Sequence, residues 1–283
     1  MSINRVATLA IFAILVASTF SLLPAAASSP PGSVVVQTNP NSSIGFKGGN
    51  GGGHGGGGGG SFTCPTIPGA DSSSCSTNWS GYAVTASSGV TSVSGSWYVP
   101  ALSCPSSGTT YVAIWVGIDG YSDSTVEQTG VMGQCSNGVA SYSAWYEFYP
   151  SASVTVFTVA PNDAIIASVT ALGSSSFSVS ISDSTSGQRY TITGTVSGAG
   201  QSSAEWIVER PALCIAAHCS LTTLANFGSD TFTSSSATIG VNSGSISAFT
   251  NVAITMVGGS KGPILAEPSS LSTDGTSFSV AYG

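Results

Sequence analysis

A chain of 283 residues with a net charge of −7 and only 6% charged residues has no basic footprint for nucleic acid; its polar surface must be built from Ser, Thr, Asn and Gly. Of the two histidines, His54 falls in the glycine run and His218 inside the Cys214–Cys219 loop, which leaves a Ser–His–Asp or Cys–His arrangement without a base, and proton transfer falls to carboxylates, amides and aromatic hydroxyls. Full protonation moves the formal charge only to +7, and few carboxylates mean little acid lability, which predicts tolerance of low pH; a secreted Ser/Thr-rich surface with no acid role would have the same composition.

Residues 1–27 have the layout of a secretory signal: Arg5, an apolar run from Val6 to Leu23, then Ala25-Ala26-Ala27 before Ser28. Retained, the same run would be a membrane anchor; nothing later in the chain could span a bilayer. Residues 28–61 read as a spacer, or a short prosegment, ending in a glycine-rich linker in which His54 is solvated and inert. The domain occupies residues 62–283. Export fits the six cysteines as three disulfides. Nearness favours Cys64–Cys75, Cys104–Cys135 and Cys214–Cys219 among fifteen possible pairings. Cys214, His218 and Cys219 make a poor metal set, with two of the three adjacent. No phosphate loop or dinucleotide fingerprint is present, and no cofactor or metal is called for.

Period-two alternation broken by turn residues predicts strands and no helix. The expected strands are Ser92–Val99, Thr110–Ile118, Thr125–Met132, Val139–Tyr149, Val154–Val159, Ala164–Ala171, Phe177–Ile181, Arg189–Val196, Ser202–Glu209, Ser235–Ile239, Val252–Val257 and Ser277–Tyr282. About twelve strands imply an all-β fold of two packed antiparallel sheets, a jelly-roll (concanavalin-like) sandwich.

The stretch Ala204 to Pro211 concentrates two carboxylates and a guanidinium on one predicted strand. Alternation puts Glu205, Ile207 and Glu209 on one face and Trp206, Val208 and Arg210 on the other. Carboxylates on an apolar strand must be satisfied or used. The same parity groups Trp115, Gly117 and Asp119, and Trp145 with Glu147. With Trp79 added, every tryptophan but Trp206 can converge with the acids on one groove suited to an extended peptide or glycan. A core filled by the tryptophans, with the acids facing water, is the plainer reading of any one of these residues.

The segments Asn78-Trp79-Ser80-Gly81, Trp115-Val116-Gly117-Ile118-Asp119-Gly120, Gln128-Thr129-Gly130, Ala144-Trp145-Tyr146-Glu147 and Ala204-Glu205-Trp206-Ile207-Val208-Glu209 resemble those of the glutamic peptidases (eqolisins). That family comprises secreted, pepstatin-insensitive acid endopeptidases. The resemblance implies that Glu209 and Gln128 are the catalytic glutamate and glutamine. Trp79, Trp115, Asp119, Trp145 and Glu147 then line or brace the groove, with Glu205 in support. Since Glu205 shares the face of Glu209, register alone cannot choose between them. Cys214 and Cys219 resemble the family's disulfide loop.

The chain departs from the family in several places. A bridge that ties the loop before the glutamine to the segment before the glutamate has no cysteines here, where Ser122 and Gly200 stand. Val131-Met132 replaces an acidic residue, Phe148 replaces tryptophan, and residues 28–61 lack the basic character of an inhibitory prosegment.

The implied mechanism gives Glu209 the water proton, which it later hands to the leaving nitrogen, while the Gln128 amide holds the oxyanion. The expected partners are polypeptide substrates, with no nucleic acid and no membrane unless the signal is retained, and the chain acts as a monomer in an acidic extracellular setting. The alternatives are a jelly-roll glycoside hydrolase and a non-enzymatic carbohydrate-binding or adhesion module. Glu205 and Glu209 alone cannot serve the hydrolase: four strand steps separate their Cα atoms by about 13 Å, against about 5–9.5 Å for a glycosidase pair.

Overall fold

The computed structural model describes residues 35–37, 64–87, 89–215, 218–259 and 262–283. The expected signal segment, most of the spacer and linker with His54, and Lys47 and Lys261 lie outside these residues. The strands are β1 (Val35–Gln37), β2 (Ser72–Ser76), β3 (Trp79–Thr85), β4 (Val90–Tyr98), β5 (Thr109–Ile118), β6 (Val126–Ser136), β7 (Val139–Tyr149), β8 (Val154–Thr158), β9 (Ala164–Gly173) and β10 (Ser176–Asp183). They continue as β11 (Arg189–Thr195), β12 (Ser203–Glu209), β13 (Ala212–Ile215), β14 (His218–Leu221), β15 (Ser229–Ile239), β16 (Asn242–Gly244), β17 (Asn251–Val257), β18 (Ile264–Pro268) and β19 (Phe278–Tyr282). The one helical element among the described residues is a 3-10 turn at Ile246–Ala248.

All twelve expected strands form, most with ends shifted by a few residues. The expected separation into two sheets does not hold. One hydrogen-bonded path runs β11-β10-β9-β4-β15-β19-β18-β17-β3-β12-β5-β6-β7-β8, with β16 added to β15 and β2 to β17; β1, β13 and β14 make a second, small sheet. The ladders are antiparallel except β2 on β17. The reason lies in β15. Its residues 229–232 pair with β19 and its residues from Thr233 onward pair with β4. Between Thr233 and Ser236 the register slips, with Ser234 in a left-handed conformation (φ 52°). Such a bulge bends the strand and increases its twist, so a single strand turns the corner between the two halves.

The sheet folds over until it is nearly closed. Tyr146 of β7 stacks on Tyr190 of β11 with ring centroids 5.7 Å apart. The core lies between the halves. Trp206 of β12 is fully buried there and its indole N–H donates to the Ser94 carbonyl of β4 at 2.8 Å. Val93, Val116, Val169, Val179 and Phe177 belong to the same cluster. Its centre includes β3, which alternation does not reveal because all but its last residue are buried. Gly81 of β3 has φ 148°, and a Cβ there would lie 2.1 Å from the Trp206 carbonyl oxygen, so only glycine lets β3 and β12 approach. Cys64–Cys75, Cys104–Cys135 and Cys214–Cys219 are joined as expected.

Candidate active site

The face of β12 turned away from this core carries Glu205, Ile207 and Glu209. A second apolar cluster lies on it: Trp79, Trp115, Trp145, Ile207, Val252 and Ile254, with Met132 and Tyr121 against them. Three of the expected groove tryptophans are therefore together. Trp97 is not among them; it packs against Phe232 in the main core, because parity within β4 does not tell which face of the molecule each side meets.

The ladders order this face into rows. Across β3, β12, β5, β6 and β7, one row reads Ala83, Glu205, Gly117, Gln128, Glu147. The next reads Gly81, Ile207, Trp115, Gly130, Trp145, and the one after it Trp79, Glu209, Ala113, Met132, Ser143. Glu205 and Gln128 thus flank Gly117, two strands apart, or about 10 Å between Cα atoms at 4.7–4.9 Å per strand. Glu209 is displaced from Gln128 by two strands and four residues, about 16 Å. The expected pairing of Glu209 with Gln128 is not the one the register makes; Glu205 stands opposite Gln128. Gly117 supplies no side chain between them, and a Cβ there would come within 2.9 Å of the Trp115 ring and 3.1 Å of Gln128 Cβ.

Glu209 is held. Its Oε2 accepts the Trp115 indole N–H at 2.8 Å and its Oε1 the Asn78 amide at 3.3 Å. Trp79 meets the Trp115 ring edge-on at 5.0 Å. The Trp115 ring therefore reaches from Glu209 at one end to the edge of the Gly117 gap at the other. Burial pushes Glu209 up to about 8, against the lowering effect of these hydrogen bonds. Gln128 Nε2 donates to Glu147 Oε2 at 2.7 Å, which fixes the plane of the carboxamide. Glu205 is fully buried and is pushed well above the usual carboxylate range, by burial first and then by the charges of Asp119, Asp123 and Glu127.

Asp119 stands at the end of β5. It closes β5 with its carboxylate on the backbone N–H groups of Gln201 and Ser202, at 2.8 and 2.7 Å. Burial raises it to about 6. Arg210 lies beyond β12 and donates to the Thr77 carbonyl. Asn78 and Glu127 escaped the sequence reading. Asn78 sits in a glycosylation sequon yet is wholly buried against Glu209; its place beside a buried tryptophan was the available signal. Glu127, adjacent to Gln128, points by alternation into the main core, and neither of its carboxyl oxygens has a hydrogen-bond partner. Nothing in its local sequence announces that.

The chain is all-β and carries an acid–amide row on a tryptophan-lined face, and its relatives place it among the hydrolases. More narrowly, residues 77–282 match the Peptidase A4 family, and the chain is a member of that family, the glutamic peptidases. It is 36% identical over 210 residues to aspergillopepsin-2 of Aspergillus niger, covering 62% of this chain and 73% of the relative. It is 35% identical over 138 residues to scytalidopepsin B of Scytalidium lignicola, covering 47% of this chain and about half (51%) of that relative. Among solved structures, scytalido-glutamic peptidase with a transition-state analogue inhibitor superposes with a TM-score of 0.63 at 28% identity, over 73% of this chain and 98% of the other. Aspergilloglutamic peptidase from Aspergillus niger superposes with a TM-score of 0.52 at 36% identity, over 62% and 99%. These relatives indicate a peptidase.

Proposed function

We propose that this chain is a secreted, pepstatin-insensitive acid endopeptidase in which Glu205 is the general base and acid and Gln128 the oxyanion donor. The observation that carries the assignment is the row Glu205–Gly117–Gln128. A carboxylate and an amide about 10 Å apart at Cα leave room between their ends for a water and a scissile carbonyl. In this reading the folded-over sheet is a jelly-roll sandwich, and the groove takes an extended polypeptide. That scytalido-glutamic peptidase binds a peptide-based transition-state analogue supports such a substrate.

Ionised Glu205 removes a proton from water as the oxygen attacks the carbonyl carbon, and the carbonyl π electrons move to oxygen. A carboxamide nitrogen carries two N–H groups; Glu147 orients it, and Gln128 donates to the forming oxyanion. Collapse expels the amine, which takes the proton from Glu205, so no covalent intermediate forms. Burial favours the neutral form of Glu205, the form that hands its proton to the leaving amine. Glu209 becomes the anchor of the Trp115 indole that walls the site. A glycosidase is disfavoured, because Glu205, Glu209 and Glu147 stand about 13 Å or more apart at Cα by strand and row spacing.

The test is protein digestion from pH 2 to 7 with pepstatin present, comparing wild type, Gln128→Ala, Glu205→Gln and Glu209→Gln. Glu205→Gln should abolish cleavage, and Gln128→Ala should lower kcat on the order of 10²–10³. Glu209→Gln should retain most of it. Full activity in Glu205→Gln, with loss in Glu209→Gln, would restore the assignment drawn from the sequence.

A further inference from the structure

Two loops deliver the two reacting groups: residues 119–125 lead from β5 into β6 and Gln128, and residues 198–202 lead into β12 and Glu205. Their ends are joined by side chains. Asp119, with a left-handed backbone (φ 70°), donates its N–H to the Ser203 carbonyl at 3.0 Å and accepts two N–H groups from the other loop. Asp123 uses one carboxylate oxygen to accept the Gly120 N–H at 2.8 Å, shaping its own loop. Its other oxygen accepts the Ser202 hydroxyl at 2.7 Å. The Ser122 and Ser202 hydroxyls lie 3.3 Å apart. A Cβ at Gly200 would sit 2.8 Å from Asp123 Oδ2, so the second loop passes directly over this carboxylate. The tie ends one residue beyond Ile118 on β5 and two residues before Glu205 on β12. Gly117, the centre of the acid–amide row, is two residues from Asp119.

We infer that Asp123 is a positioning residue for the Gln128–Glu205 pair, closing with Asp119 and Ser202 a carboxylate clasp that sets the width of the gap over Gly117. The inference rests on reading Gln128 and Glu205 as the reacting groups. Asp123 touches neither, so it acts only through the loops. A group misplaced by about 1 Å can lower rate by up to about 10²-fold, and a hydrogen-bonded tie between two otherwise separate loops governs displacements of that size. The clasp is also charged. The carboxyl groups that act on one another there are Asp119 and Asp123 of the clasp, Glu127 from β6 and Glu205 from β12. No lysine or arginine among the described residues belongs to it. A negative charge on Asp123 therefore disfavours ionisation of Glu205, and its removal has a sign: Glu205 should ionise at lower pH.

The experiment measures kcat, KM and the pH–rate profile of Asp123→Ala, Asp123→Asn and Ser202→Ala in the full chain, with thermal unfolding of each recorded alongside. Asp123→Ala should lose about 10-fold or more in kcat with KM little changed, because the groove that binds peptide is untouched. Asp123→Asn, which keeps an acceptor but no charge, should retain more activity and shift the rising limb of the profile to lower pH. A disulfide across the clasp, Ser122→Cys with Ser202→Cys, should recover kcat in the Asp123→Ala background without reversing that shift. A merely structural role would lower the unfolding temperature and leave the pH limb in place. Wild-type kcat and an unmoved limb in folded Asp123→Ala and Asp123→Asn would overturn the inference while leaving the pair intact. Activity surviving in both Gln128→Ala and Glu205→Gln would instead remove the pair on which it rests.

Discussion

Glu127 gives the sharpest quantitative test of the fold. Its side chain enters the core on the face opposite Gln128, paired along the backbone with Ile118 and Phe148, and neither oxygen is hydrogen-bonded. Burial, reinforced by the charges of Asp119 and Asp123, raises it from an ordinary 4.5 to about 9. The folded protein therefore keeps this carboxyl neutral where the unfolded chain ionises it, and above pH 4.5 the native state binds more protons. Stability attached to Glu127 is fully present below pH 4.5 and is lost as pH rises toward 9. At pH 7, about 2.5 pH units above the unfolded value, the loss is about 3.5 kcal/mol at about 1.4 kcal/mol per unit; at pH 4 it is close to nil. Glu127→Gln removes the titration. Whatever a carboxamide costs in that site is the same at both pH values, so the comparison to make is a difference of differences. Unfolding temperatures of wild type and variant at pH 4 and pH 7 should show the wild type falling further, by roughly 7–14 °C for a domain of this size. Parallel curves for the two proteins would refute both the burial of a neutral acid here and its share in acid stability.

Three further outcomes follow from contacts already described. Gly117→Ala puts a methyl group between Gln128 and the Trp115 ring, and kinetics should show kcat falling by more than unfolding measurements show stability lost, which overpacking limits to about 1–3 kcal/mol. Gly81→Ala drives a Cβ onto the Trp206 carbonyl and should lower stability by more than Gly117→Ala does, read by denaturant midpoint, because backbone must move. Trp115→Phe deletes the indole donor to Glu209; since that bond holds the carboxyl down against burial, its loss should raise Glu209 further and destabilise the variant more at pH 8 than at pH 4. Equal losses at the two pH values would count against that account.

Much of this architecture was legible. Twelve strands, three disulfides and the face shared by Glu205, Ile207 and Glu209 all come from alternation and spacing along the chain. The choice between Glu205 and Glu209 does not, because it depends on which residue of β12 lies level with Gln128 across an intervening strand. That level is set by pairing among β12, β5 and β6, residues far apart in sequence. The same limit hid β3, buried on both faces and so without alternation, and sent Trp97 to the wrong side. Glu127 and Asp123 were invisible for another reason. An acid in a Ser/Asp-rich loop and an acid on a strand look alike in sequence whether they meet water, a neighbouring hydroxyl or a hydrophobic interior.

The corner in β15 bears on how the enzyme could admit a long substrate. One strand is laced by hydrogen bonds into the half that bears the groove and, past the Ser234 bulge, into the half that backs it. Sliding one half over the other would break that lacing, so the corner strand ties the two layers together. The small β13–β14 hairpin, cinched by Cys214–Cys219, stands outside that lacing in its own sheet and follows directly on the Glu209 end of β12.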